Sequence, residues 1–279
     1  MAKPSAPGPN LPPEVESHYA GKAEHGRLES GVGRLEFERT KEILQRHLPP
    51  PPAVIADVGG GPGLYACWLA RQGYEVHLVD PLQLHVAQAE EASSTQPTQP
   101  VSTCKVGDAR ALSHADESAD AVLLLGPLYH LTDRSDRLAA LGEARRVLRR
   151  DGTLIAAAIA RFASALDGLC RGHLDDAVFA SIVERDLTDG QHRNPTGHPE
   201  YFTTAFFHHP DELRREIADA GLILEHVIAV EGPAWLLQNL DLHWDDPARR
   251  DRLLGVIRRI EAEPTVLGAS AHMLAVARK

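Results

Sequence analysis

Short apolar runs alternate with stretches of helical periodicity along the chain, as expected for buried parallel strands with helices on both faces of a sheet. Val54–Val58 is the first run, β-branched and apolar, and Leu64–Arg71 is the helix after it. Tyr74–Asp80 reads as a second strand followed by a helix at Leu82–Ala92. A third strand passes through Cys104–Val106, and a fourth spans Ala119–Leu125. Helix Ser135–Leu148, the turn Arg150–Gly152 and a fifth strand at Thr153–Ala160 follow. Leu222–Val230 and Ala271–Arg278 have the same apolar strand character. Upstream, Leu35, Ile43 and Leu44 share one face of a helix that Pro49–Pro52 ends. The pattern divides the chain into a disordered Pro-rich tail (1–13), an N-terminal helical cap (14–52), a core (53–160), a lid insertion (161–209) and the remainder of the core (210–279). A helical insertion at 232–268 interrupts that last part. Within 161–209, Phe162–Arg171 and Asp175–Glu184 read as helices and Gln191–Phe202 as a polar loop.

The turn after the first strand carries the strongest chemical signal. Asp57 is followed by Gly59, Gly61 and Gly63 at alternate positions. Glycines there allow positive φ and leave no side chain between backbone and ligand. A dinucleotide fingerprint would need a third glycine at position 64, which is Leu64, and this speaks against an NAD-dependent oxidoreductase. Asp80, at the end of the second strand, is placed to accept ribose hydroxyls or to cap the next helix. The acid followed by G-x-G-x-G resembles motif I of the class I S-adenosylmethionine (SAM)-dependent methyltransferases. The segment Gly126-Pro127-Leu128-Tyr129-His130-Leu131 resembles the small-molecule, natural-product tailoring branch of that class. The resemblance covers residues 53–160 with the elements in order. It implies an α/β, Rossmann-like, doubly wound sheet of seven mostly parallel strands with an antiparallel last strand, plus helical cap insertions. It also implies SAM as cofactor and S-adenosylhomocysteine as product. The cofactor-binding residues it points to are Asp57, Gly59, Gly61, Gly63, Asp80, Pro81 and Gly126, with Asp108 and the Ala109 amide beside the adenine amino group. In similar enzymes an N-terminal helical segment folds over the pocket. That makes Tyr19 and Arg39 candidates, with Arg39 suited to the SAM carboxylate.

Charge narrows the acceptor. Thirty-nine acids oppose 29 lysines and arginines, a net charge of −10. A chain that tracks phosphate backbones needs a basic face, so a small organic acceptor is favoured over RNA, with a protein acceptor less easily excluded. A non-catalytic SAM-binding protein is the remaining alternative. No apolar run reaches the ~18 residues of a membrane span, and the N-terminus lacks a signal-peptide h-region. The expectation is a cytoplasmic monomer or homodimer with no membrane contact. The three cysteines form no C-x-x-C pair and the 15 histidines no H-E-x-x-H spacing, so no metal is expected. His130 lies just after the fourth strand, beside the expected methyl position, and is the candidate general base, linked to Tyr19. Tyr129, together with His192, Tyr201, His208 and Trp235 from the insertions, is a candidate wall residue of an enclosed acceptor pocket.

Overall fold

The computed structural model describes residues 11–21, 24–28, 30–96 and 98–279. Most of the expected disordered tail, residues 1–10, lies outside the described residues, and Pro13 already opens the first helix. Three N-terminal helices come first: α1 (Pro13–Gly21), α2 (Glu24–Arg27) and α3 (Gly31–His47). Then follow β1 (Val54–Val58), α4 (Leu64–Arg71), β2 (Glu75–Asp80), α5 (Gln83–Ser94), β3 (Thr103–Val106) and β4 (Ala119–Leu124). After α6 (Pro127–His130), α7 (Arg134–Val147) and β5 (Leu148–Ala160), the first insertion holds α8 (Ala163–Arg171), α9 (Ala177–Asp189), β6 (Gln191–His192) and β7 (Ala205–His208). The chain closes with α10 (Pro210–Asp219), β8 (Ile223–Ala229), α11 (Leu240–Trp244), α12 (Pro247–Ile260) and β9 (His272–Arg278).

Seven strands form the main sheet in the order β3-β2-β1-β4-β5-β9-β8. The first five are parallel, and β9 runs antiparallel to both β5 and β8. Alternate residues of each strand face opposite helical layers. Ala56, Val58, Val122 and Leu124 pack with Leu141, Leu213 and Ile217 from α7 and α10. Ile55, Leu78, Leu123 and Ile155 pack with Ile43, Leu69 and Val86 from α3, α4 and α5. Both faces are covered, which is why β1 reads as one apolar run. The chain order reverses between β1 and β4, so the loops after these strands diverge and leave a crevice at the strands' C-terminal ends.

The insertions depart from the sequence reading in two ways. Gln191 and His192 pair with β7, and Phe207 and His208 of β7 pair in parallel with Ile159 and Ala160 of β5. The pairing of β5 with β4 ends at Ala156, and β7 takes the free edge beyond it. A buried stretch as short as Ala205–His208 has too few residues for its periodicity to declare a strand. The second insertion packs Ala234, Leu240, Trp244 and Ile257 against Leu35 of α3, so it braces the N-terminal helix. Between them, Thr203 and Thr204 hold α1: their hydroxyls donate to the Glu14 carbonyl (3.2 Å) and carboxylate (2.8 Å). Among the described residues no helix is long and apolar enough to cross a membrane.

Candidate active site

A cavity of about 330 Å³ opens at the crevice. Its floor is the β1–α4 turn, with Gly59 at φ +72°. A Cβ on Gly59 would lie 2.6 Å from Pro127 Cδ, so the turn and the start of α6 can approach only through glycine. The Gly61 amide donates to Asp80 Oδ2 at 2.9 Å. The Leu82 amide (2.9 Å) and His85 Nδ1 (3.0 Å) meet Asp80 Oδ1. This fixes the carboxylate at the end of β2 with lone pairs to spare, and it lines the cavity. Asp57 lies beneath the turn. Neither of its carboxyl oxygens has a hydrogen-bond partner among the described residues. Burial, and then the neighbouring Asp80 charge, push its pKa up to about 7.

Pro81, Asp108, Ala109 and Gly126 also line the cavity. Asp108 is held by Arg110, whose Nε and Nη2 donate to it at 3.0 and 2.6 Å, while Arg110 Nη1 reaches Asp136 at 2.6 Å. Burial opposes its ionisation, but these bonds hold the Asp108 pKa below the ordinary carboxylate value.

Over the floor, α1 brings Tyr19 against His130 of α6. Tyr19 Oη lies 2.7 Å from His130 Nε2. Burial drives the His130 pKa down to about 4, so the ring is neutral and Nε2 can accept the phenol proton. The Thr204 backbone partly offsets that shift, through a contact short of a well-formed hydrogen bond to Nδ1. Tyr129 lines the cavity too, and its hydroxyl donates to the Leu125 carbonyl at 3.2 Å.

Six sequence-based assignments are corrected. Gly63 is off the cavity wall; a Cβ there would sit 2.9 Å from Ala89 Cβ, so this glycine serves α4–α5 packing. Arg39 faces the interior, donating to the Val230 carbonyl (3.0 Å) and Glu42 (2.7 Å) and pairing with Glu261. The wall there comes from Arg27 and Glu36, paired at 2.6 and 3.1 Å. His192 is buried, bonded to Asp186 (2.8 Å) and the Tyr201 carbonyl (2.8 Å) and stacked on Phe207. Tyr201 packs with Phe179, Ile182 and Val183. His208 sits under α10, with Nε2 3.2 Å from Glu216. Trp235 Nε1 donates to the Ala269 carbonyl at 2.8 Å. The insertions therefore do not enclose the cavity themselves; they hold the N-terminal helices that do. The sequence reading missed His85, Arg27, Glu36, Arg110 and Tyr65 as wall residues. Only the packing of each element against its neighbours reveals them, apart from His85, which follows an acid into the first turn of α5.

Residues 56–156 match a family model described as a methyltransferase domain. Over these residues the chain carries a methyltransferase domain. A malonyl-[acyl-carrier protein] O-methyltransferase of Methylococcus capsulatus is 34% identical to it over 128 residues, 44% of this chain and 44% of that protein. Methyltransferase GfsG of Streptomyces halstedii is 30% identical over 146 residues, 52% of this chain and 48% of that protein. The alignments thus span about half the length of these curated relatives. Among solved structures, the PH0226 protein of Pyrococcus horikoshii matches the fold with a TM-score of 0.61 at 18% identity, over 94% of this chain and 98% of that one. SAM is the cosubstrate of the methyltransferase class, and the donor set fits it. A fixed carboxylate at the end of β2 suits a ribose diol. The orphaned Asp57 carboxyl beneath a glycine turn suits a positively charged ligand.

Proposed function

We propose that the protein transfers the methyl group of SAM to a neutral small-molecule hydroxyl or similar nucleophile, with His130 as general base and Tyr19 as its proton partner. The observation that carries this reading is the 2.7 Å contact between Tyr19 Oη and His130 Nε2 on the cavity wall. Bound SAM supplies an electrophilic methyl on a sulfonium, a leaving group that needs no protonation. The chain's tasks are alignment, which can lower the barrier by ~7–11 kcal/mol, and removal of the acceptor proton. Asp80 would hold the ribose, Asp108 and Ala109 would flank the adenine, and Asp57 with the Gly59–Gly61 backbone would face the positively charged end. Neutral His130 Nε2 accepts a proton, directly or through the Tyr19 hydroxyl, as the acceptor loses it. The imidazolium of His130 would then carry the positive charge that the methyl donor gives up.

A neutral acceptor follows from the walls. Both guanidinium groups there, Arg27 and Arg110, already hold carboxylates. The Methylococcus capsulatus relative is named for a malonyl-[acyl-carrier protein] substrate. A carboxylate acceptor of that kind calls for an uncommitted cation and no base. Leu11, Val15, Leu28, Tyr65 and Tyr129 instead give the walls an apolar and aromatic character, suited to a tailoring reaction on a metabolite in the cytoplasm.

The test is transfer from methyl-labelled SAM into an extract of the source organism, resolved by molecular size. Enzyme-dependent label in the small-molecule fraction is expected. His130→Gln and Tyr19→Phe should lower turnover ~10²–10⁴-fold and leave SAM affinity intact. Label confined to protein or nucleic acid, or full turnover by His130→Gln, would overturn the reading.

A further inference from the structure

We propose a second ligand site, for a phosphate-type oxyanion, beneath the sheet where Lys105, His77 and His114 converge. It is a separate cavity of about 240 Å³ and shares no wall residue with the first. The register that pairs Ala56 with His77, His77 with Thr103 and Val79 with Lys105 puts these side chains on one face of β1–β3. That face is covered by the connection 107–118, which contains no helix. Ala56 and Ala119 are too small to fill the space under it.

A gap left only by loose packing is apolar and dry. Here the walls carry an ammonium, two imidazoles and the hydroxyls of Thr103 and Ser113. Lys105 is exposed and has no ion-pair partner among the described residues. His114 Nδ1 is buried without a hydrogen-bond partner. His77 Nδ1 lies 2.9 Å from Thr103 Oγ1, and its Nε2 contacts Glu75 at 3.1 Å. The cations that act on His114 are Lys105 and Arg146, with the His77 imidazole beside them. The adjacent acid, Asp116, is taken by Arg146 at 2.6 Å. An unpaired ammonium thus lies beside an unsatisfied ring nitrogen in a chain of net charge −10. An oxyanion answers both needs, accepting from the Lys105 ammonium and from the His114 ring. Burial and these cations hold the His114 pKa below its ordinary value. A bound anion reverses that environment, so binding takes up a proton and tightens as pH falls.

The experiment is calorimetric titration of the full chain at constant ionic strength. Sulfate serves as the probe for pH because its charge does not change between about pH 6 and about pH 8. Inorganic phosphate and glycerol phosphate tell a free oxyanion from an esterified one. Saturable sulfate binding is expected, several-fold tighter at the lower pH. Lys105→Ala and His114→Gln should each weaken it about tenfold, with SAM affinity unchanged. Preference for the ester assigns the remaining volume to an organic group; equal affinity assigns the site to the free ion. Lys105 is exposed, so its variant keeps the fold, which circular dichroism checks. No saturable heat up to about 10 mM, or binding indifferent to both variants, would overturn the proposal.

Discussion

At neutral pH His130 is uncharged and Asp57 is about half protonated, and in both the leading cause is burial. For His130 the consequence is a base that stays unprotonated until pH falls to about 4. The acid limb of kcat should therefore lie well below the ordinary histidine value of ~6.5; a limb at that value would show the ring exposed to solvent in the working enzyme. Stability follows the same shift. Unfolded, the ring protonates near ~6.5, whereas folded it does so only at about 4. Between these values the unfolded state binds the extra proton, so this residue's part of the stability is lost as pH falls through that window. Urea unfolding of His130→Gln should show a shallower loss there than the parent. Asp57 behaves oppositely. Its folded pKa of about 7 lies above the unfolded value, so ionisation strains the empty site as pH rises. A cationic ligand relieves this by drawing off the proton. Calorimetry near pH 6 in buffers of different ionisation heat should show SAM binding releasing close to one proton. Asp57→Asn should bind more weakly and release none, and equal heats in all buffers for the parent would contradict the assignment.

Among the elements, the β1–α4 turn and α1 set the cavity's two halves. Gly59→Ala combines a positive φ with a 2.6 Å clash at Pro127. It should cost ~1–3 kcal/mol and displace α6, which carries His130. Gly61→Ala meets nothing within 4 Å at its φ of +55° and should cost only ~1–2 kcal/mol from the backbone. Comparing the two by urea unfolding and SAM titration separates steric from conformational strain. The α1 half depends on Glu14. Hydrogen bonds to its main chain and to Thr204 hold its carboxyl pKa low, so the clip is ionised at neutral pH. Thr204→Val removes one of the two hydroxyl bonds. Amide exchange within α1 should then accelerate while the sheet's exchange is unaltered; unchanged α1 exchange would mean that apolar packing alone seats the helix.

For the whole molecule, buried charges join N-terminal helices to C-terminal strands. Glu261 pairs with Arg39 and, at 2.5 Å, with Arg46. His272 meets Glu231 at 2.7 Å and Glu36 at 3.9 Å, so Arg27 and His272 supply the positive charge of that cluster. Burial alone would lower the His272 pKa, but Glu36 and Glu231 raise it to about 9. Its contribution is complete below the unfolded value and is lost as pH rises through about 9. Burial would raise the Glu36 pKa, yet Arg27 and His272 bring it to about 2, so its share is lost only as pH falls through that value. Glu231→Gln should destabilise by ~3–5 kcal/mol and blunt the alkaline loss, as denaturant midpoints at neutral and alkaline pH would show. The sequence revealed the parts governed by local rules. Val54–Val58 is a strand to the residue, and α5, α7 and β9 lie within two residues of their expected bounds, because periodicity and turn glycines act over short range. Contacts between distant stretches were not legible. Arg39 reads from the sequence as a helix cation that could face the pocket, and only the folded contacts show it turned inward to Val230 while Arg27 reaches the cavity. His192, Tyr201, His208 and Trp235 went astray likewise, since a polar or aromatic side chain on an insertion does not announce whether it will be buried. The clip at Glu14 has a further meaning. In the proposed function, the floor that would recognise the cosubstrate and the α1 wall that would meet the acceptor belong to separate stretches of chain, joined by a few side-chain bonds. On the proposed function, substrate scope and cofactor use can therefore diverge independently, and exchanging residues 11–28 for a related segment that keeps Tyr19 is a direct route to new acceptors.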